Sequence, residues 1–158
     1  MAARLDATDF VILRALQQDA TVAYAELGMV IGMSAASAHE RVRKLRERGV
    51  IRATTVDVDP VAVGRDVLAF VSVTADAWVG DETTRDALTA IAEVEAAYVV
   101  AGNGSLLVKV RTTTNQHLQL VLRRLYSIAG VTGTQSTVVL ETFFERPLGL
   151  PDADEATT

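Results

Sequence analysis

The spacing of the apolar residues changes partway along this chain, and no single type of element accommodates both halves. In the first fifty or so positions they recur at helical intervals: Ile12, Leu13 and Leu16, then Leu27, Val30 and Ile31, then Ala38, Val42 and Leu45. That period places one buried stripe on each of several helices. Further on, β-branched and apolar residues run together or alternate, as in Val67-Leu68-Ala69-Phe70-Val71, which is a strand signature.

The charge divides at the same place. The formal net charge of the 158 residues is −5. Through Arg52 there are eight Lys and Arg against six Asp and Glu, a net +2, while the remainder has seven against fourteen, a net −7. A small cationic unit therefore precedes an acidic one. With 49% hydrophobic and 22% charged residues the chain has the balance of a globular protein.

Several function classes fall away. There is no cysteine, so disulfides, thiolate metal sites and a cysteine nucleophile are excluded, and His39 and His117 alone make zinc chemistry a poor fit. No histidine has a clear Ser or Asp partner, and there is no phosphate loop or dinucleotide fingerprint. The expectation is a protein that is not an enzyme, with no catalytic residue, metal or cofactor. No run approaches the roughly 18 apolar residues of a membrane span, and the N-terminus lacks an apolar signal core, so a soluble cytoplasmic protein is expected.

Asp6 and Asp9 stand at the N-cap and third positions of a capping box, predicting a helix over residues 7–18. A short helix follows from Tyr24 to Ile31, closed by Gly32. Ser34 is a good N-cap for a third helix, from about Ala35 to Arg48, which Gly49 ends. Its apolar stripe is Ala38, Val42 and Leu45. The opposite arc carries Ala36, Ser37, His39, Glu40, Arg43, Lys44 and Glu47, and six basic residues against one acid lie between Arg41 and Arg52.

A short helix, a tight turn and a longer helix with a basic outer face make a helix-turn-helix, its second helix the DNA reader. A cationic helix face seen alone is more often a merely solvated one. The small residues Ala35, Ala36, Ser37 and Ala38, which let the helix end approach a groove closely, tip the reading toward DNA.

Val50 to Pro60 reads as a small strand and then a linker. Beyond it the order is strand 66–74, helix 81–92, strands 95–101 and 105–112 joined by Gly102-Asn103-Gly104, helix 115–128 and a last strand 135–145. That order is βαββαβ, the ferredoxin-like split unit. Such a sheet has helices on one face only, yet both registers of the first and last strands are apolar: Val67, Ala69, Val71 and Val73 against Leu68 and Phe70, and Val139 and Phe143 against Val138, Leu140 and Phe144. A second copy of the chain is the simplest cover, which predicts a homodimer. The tail from Pro147 to Thr158 is acidic and poor in apolar residues, and is expected to be mobile.

The chain resembles the Lrp/AsnC, or feast/famine, family of transcriptional regulators over residues 5–145. The resemblance rests on Leu5-Asp6-x-x-Asp9-x-x-Ile12-Leu13, on Met33-Ser34 followed by Glu40-Arg41-Val42-Arg43-Lys44-Leu45, on Gly49-Val50-Ile51, on Asp59-Pro60 with Gly64, and on Gly130-Val131. It implies an α+β protein: a winged helix-turn-helix DNA-binding domain over residues 1–52, a strand and linker over 53–65, a ferredoxin-like effector-sensing and dimerisation domain over 66–146 and a flexible tail over 147–158. It further implies semi-palindromic double-stranded operators, homodimers assembling into larger oligomers, and modulation by an amino acid or related metabolite.

Carried onto this chain, the resemblance starts the reading helix at Ser34. Members often have proline where Ala35 and Ser37 stand, so the helix entry here is less rigid. The DNA-binding positions are then Ser34, Ala36, Ser37, His39, Glu40, Arg43 and Lys44. Ser34 and Ser37 suit phosphates or base edges, and Arg43 and Lys44 suit phosphate or guanine acceptors. Glu40 has two open roles, accepting from cytosine or pairing with Lys44. His39 reads as a surface histidine with a groove contact also open. Arg41 lies nearer the apolar stripe and suits an intramolecular bond.

The family's effector site maps onto Gly102, Asn103, Gly104 and Ser105, with Thr134 and Ser136. The turn commonly reads Gly-Asp-aromatic-Asp; here both carboxylates are gone and Leu106 replaces a frequent aromatic. A shifted ligand preference, an effector-independent regulator and a plain hairpin turn at Asn103-Gly104 are the open readings.

Overall fold

The protein is described by a computed structural model covering residues 5–151. It divides into two compact units: Val58–Phe143 forms one, and the chain up to Asp57 with the residues from Phe144 onward forms the other.

The first unit holds α1 (Ala7–Gln18), α2 (Tyr24–Val30) and α3 (Ala35–Glu47). α1 begins with the expected capping box: Asp6 Oδ1 accepts from the Asp9 amide at 2.8 Å, and Asp9 Oδ2 accepts from the Asp6 amide at 3.2 Å. Ile12, Leu13, Leu27, Ala38, Val42 and Leu45 form the core. Gly28 makes the packing of α2 possible, because a Cβ there would lie 2.7 Å from the Met33 carbonyl oxygen. The chain can therefore turn tightly from α2 into α3. Gly49, at φ +71°, ends α3, and the Val50 and Ile51 amides donate back to the Leu45 carbonyl.

Two expectations for this unit need correction. Residues 53–59 form no strand, so there is no wing strand among the described residues. β-branched composition favours extended backbone, but a strand also needs a neighbour to share its hydrogen bonds, and none of the described strands pairs here. The segment 147–151 is also not a free tail. Leu150 packs against the helical core, Gln17 Nε2 donates to the Leu148 carbonyl at 3.0 Å, and Arg14 donates to that of Pro151. One apolar anchor with two satisfied carbonyls holds it to α1. Residues 152–158 lie outside the described part.

The second unit is β1 (Val67–Ala75), α4 (Glu82–Thr89), β2 (Val94–Val99), β3 (Leu106–Thr112), α5 (Asn115–Tyr126) and β4 (Val131–Val138), in the expected βαββαβ order. The sheet is antiparallel with strand order β2-β3-β1-β4. Ala69, Val71, Val73, Leu106, Val108 and Val110 pack beneath Leu88 of α4 and Leu118, Val121 and Leu125 of α5. The other face carries Leu68, Phe70 and Ser72 of β1, Leu107, Lys109 and Arg111 of β3, and Tyr98 of β2, which is 55% exposed.

The last strand differs from its expected 135–145. β4 starts at Val131, after Gly130 at φ +82°, and its last ladder bond is Val139 N–H to the Leu68 carbonyl. β1 begins at Val67, so residues beyond 139 soon run out of partner backbone, and Leu140 and Phe143 are 98% and 87% exposed. The apolar two-faced pattern read for the last strand therefore lies past its end.

Arg41 ties the unit of helices together, donating to Asp6 Oδ2 at 2.8 Å and to the buried Asp9 Oδ1 at 2.9 Å. Burial pushes the Asp6 carboxyl up, but the Arg41 guanidinium and the Asp9 amide outweigh it and hold it below its ordinary value. Its contribution to stability is thus complete above the unfolded value of about 4 and is lost as pH falls below it. Arg41→Ala is expected to destabilise this unit by about 1–3 kcal/mol at neutral pH. It should also flatten the loss of stability below about pH 4, both read by chemical denaturation across pH.

Candidate nucleic-acid interface and effector turn

α3 is built as a presented helix. Ser34 Oγ accepts from the Ser37 amide at 3.2 Å and lies 3.0 Å from Ser37 Oγ, so both hydroxyls sit together at the helix entrance. Ala38, Val42 and Leu45 bury one face, leaving Ser34, Ala36, Ser37, His39, Arg43 and Lys44 exposed. Every proposed DNA contact, with Glu40 half-buried beside them, therefore lies off the buried stripe. His39 is met edge-on by Tyr24 of α2, ring centroids 4.7 Å apart, which orients the imidazole without enclosing it.

The cationic arc is internally restrained. Glu40 grips Arg43 with both oxygens, at 2.8 Å to Nε and 2.6 Å to Nη2, and Glu47 takes Nη1 from the next turn. Lys44 Nζ stands 3.6 Å from Glu40. The hydrogen bond from Arg43 holds the Glu40 carboxyl down at about 2 and, in return, raises Arg43. Of the two roles open for Glu40, the structure shows pairing, with Arg43 as the nearer partner. The clasp by Glu47 was not anticipated, although its i, i+4 spacing from Arg43 was legible. Arg41 points to Asp6 and Asp9, as its place near the stripe suggested.

The turn residues gather at one end of the sheet. The Ser105 amide donates to the Val73 carbonyl at 2.8 Å, and Thr134 pairs opposite Val73 from the other side. Ser105 and Thr134 thus flank the same β1 residue, while Ser136 lies two positions along, opposite Val71. Gly104 lies so close to β1 that a Cβ would be 2.5 Å from Ser72 Oγ. The connection is not a two-residue hairpin. Val100 N–H reaches the Ser105 carbonyl at 3.1 Å, and Gly102, at φ +137°, takes the unusual backbone conformation while Asn103 does not. No carboxylate or cation lies in the turn itself.

Comparison with known proteins decides the family. A family model described as the AsnC-type helix-turn-helix domain matches residues 5–46, and one described as the Lrp/AsnC ligand binding domain matches residues 68–148. The chain belongs to the Lrp/AsnC family of transcriptional regulators. The HTH-type transcriptional regulator FL11 of Pyrococcus horikoshii is 36% identical over 145 residues, 92% of this chain and 95% of that protein. LrpA of Mycobacterium tuberculosis is 33% identical over 147 residues, 93% and 97% of the two chains. The structure of AsnC from Escherichia coli superimposes with a TM-score of 0.84 at 31% identity, covering 92% and 99%.

This Lrp/AsnC regulator is accordingly a helix-turn-helix transcription factor, and the family is not one of enzymes. No helix among its described residues is long and apolar enough to cross a membrane. Glu40→Ala is expected to release Arg43 and strengthen binding to random-sequence duplex DNA several-fold, with a steeper dependence on salt. Fluorescence anisotropy over a salt series reads both.

Proposed function

We propose that this regulator binds a semi-palindromic double-stranded operator as a homodimer, each α3 entering a major groove, and that an amino acid or related metabolite acts through the sheet unit. The observation that carries the DNA half is α3: its serine entrance and its basic arc are exposed together, on the side away from the core. Ser34, Ser37 and Lys44 approach phosphates. Arg43, once it leaves Glu40 and Glu47, reaches phosphate or guanine, and Ala36 and His39 line the approach.

The homodimer reading is supported by the sheet face away from the helices. Phe70, Leu68 and Leu107 lie on it beside Lys109 and Arg111, and Tyr98 at its edge is 55% exposed. Each reading helix alone buries too little surface for a specific site, so pairing of two heads supplies the missing contact area.

For the effector, a feast or famine regulatory protein from Mycobacterium tuberculosis, 33% identical with a TM-score of 0.85, is described in complex with L-methionine. The family assignment and the convergence of Ser105 and Thr134 on Val73 favour an effector held by Gly102, Asn103, Gly104, Ser105, Thr134 and Ser136. With amide, hydroxyl and backbone groups but no charge in the turn, the preference shifts toward less cationic ligands, and an effector-independent regulator is the alternative the turn favours.

Replacing Arg43 and Lys44 by alanine is expected to weaken binding at every sequence and lower the salt slope by about two, read by anisotropy on operator and scrambled duplexes. Unchanged binding would remove α3 from the interface. Phe70→Asp is expected to yield monomers by analytical ultracentrifugation and to lose the operator. A Phe70→Asp variant that stays dimeric places the interface elsewhere.

A further inference from the structure

The chain leaves the helical core at Ile51 and comes back to it at Leu150, and both side chains pack against that core. The residues from Phe144 onward accordingly belong with the helices, and Val58–Phe143 stands between as the sheet unit. Two stretches of chain therefore join the units. The first, residues 52–57, contains no helix or strand. A flexible stretch of that length lets its ends wander by roughly 13 Å, about four base-pair steps of a duplex. The second runs from Val139, whose amide donates to the Leu68 carbonyl, to Leu148, whose carbonyl accepts from Gln17 Nε2 of α1 at 3.0 Å. Arg14 of α1 holds the Pro151 carbonyl in the same way. Pro147 and Pro151 fix part of this backbone, and the Arg146 guanidinium lies 4.6 Å from the centre of the Phe144 ring, so the stretch has little freedom to lose when it docks.

We infer that residues 147–151 are a second tether that positions the reading head, so that the two copies of α3 in a homodimer meet half-sites at one fixed spacing. The inference rests on the paired-head reading above. Once one head is bound, the effective concentration of the other at its half-site is greatest when the span is matched, and it falls as the range of the head widens. A second anchored connection narrows that range without touching DNA. Leu150 is thus a positioning residue. It acts through α1, which Asp6, Asp9 and Arg41 join to α3. Its loss changes how strictly spacing is read and leaves the grip of each separate head on DNA intact.

Fluorescence anisotropy of the full-length protein is measured on three duplexes: one that the protein itself selects from a random-sequence pool, one carrying a single half of that site, and one with two base pairs inserted between the halves. The insertion moves one half by roughly 7 Å and turns it by roughly 70°, and is expected to weaken binding by the unaltered protein at least about tenfold. Leu150→Asp sets a charge against the helical core and releases the segment. It is expected to bind the selected duplex about tenfold more weakly and the single half within about twofold of the unaltered protein, with an insertion penalty below about threefold. Leu150→Ala should shift all three in the same direction by less, and Leu150→Met should restore the original pattern.

Equal loss on the single half and on the whole site makes Leu150 a part of the head's core with no role in spacing, and overturns the proposal. An insertion penalty that Leu150→Asp leaves unchanged overturns it too, as does a Leu150→Asp variant found monomeric by analytical ultracentrifugation, which assigns the segment to contact between copies. Leu150→Ala decides the comparison if circular dichroism shows Leu150→Asp unfolded. If the unaltered protein binds the single half as tightly as the whole site, the paired-head reading fails and the tether fails with it.

Discussion

The same two carboxylates that start α1 also hold α3. Asp6 and Asp9 satisfy each other's amides in the capping box, and Arg41 then reaches both from the flank of α3. The Asp9 side chain is only 8% exposed, and a carboxylate so buried is costly without an opposite charge beside it. Arg41 supplies it, with Arg48 3.9 Å away. One ionic cluster therefore sets the start of α1 and the seat of α3, and the serine entrance and basic arc are placed by what it fixes.

The cations of α3 divide by role. Arg41 is turned inward and structural, whereas Arg43 is turned outward and clasped by Glu40 and Glu47. An exposed arginine held by two carboxylates carries a muted positive field, which lowers its attraction to arbitrary phosphate backbones. The acidity of the chain beyond Arg52 acts in the same direction. The net charge of −5 is thus compatible with a DNA reader, because the whole-chain sum conceals the net +2 of the residues through Arg52.

Much of this was legible because local rules agreed. The Asp6–Asp9 box gave α1 its full span, Ser34 and Gly49 marked the limits of α3 closely, and the strand and helix order of the second unit followed from its change of period. The candidate effector positions came from resemblance alone, and their geometry was not legible: that Ser105 and Thr134 flank Val73 depends on strand order, which local sequence does not state. β4 was misplaced because most of its residues, Thr132 to Thr137, are polar or small, while Leu140, Phe143 and Phe144 beyond its end imitate a strand without a partner. The end of α4 was misplaced for a similar reason. The apolar pattern extended α4 to residue 92, whereas the helix ends at Thr89, and an apolar stretch reads the same whether or not another element covers it.

Two copies of α3 that read one operator side by side must leave a two-part footprint. Hydroxyl-radical footprinting of the intact protein on the DNA upstream of its own gene tests it directly, since family members commonly act on themselves or their neighbours. Paired protections are expected on one face of the duplex, centred about one helical turn apart or a multiple of it. A single protected patch of one half-site, or none at concentrations where the protein is dimeric, would contradict it.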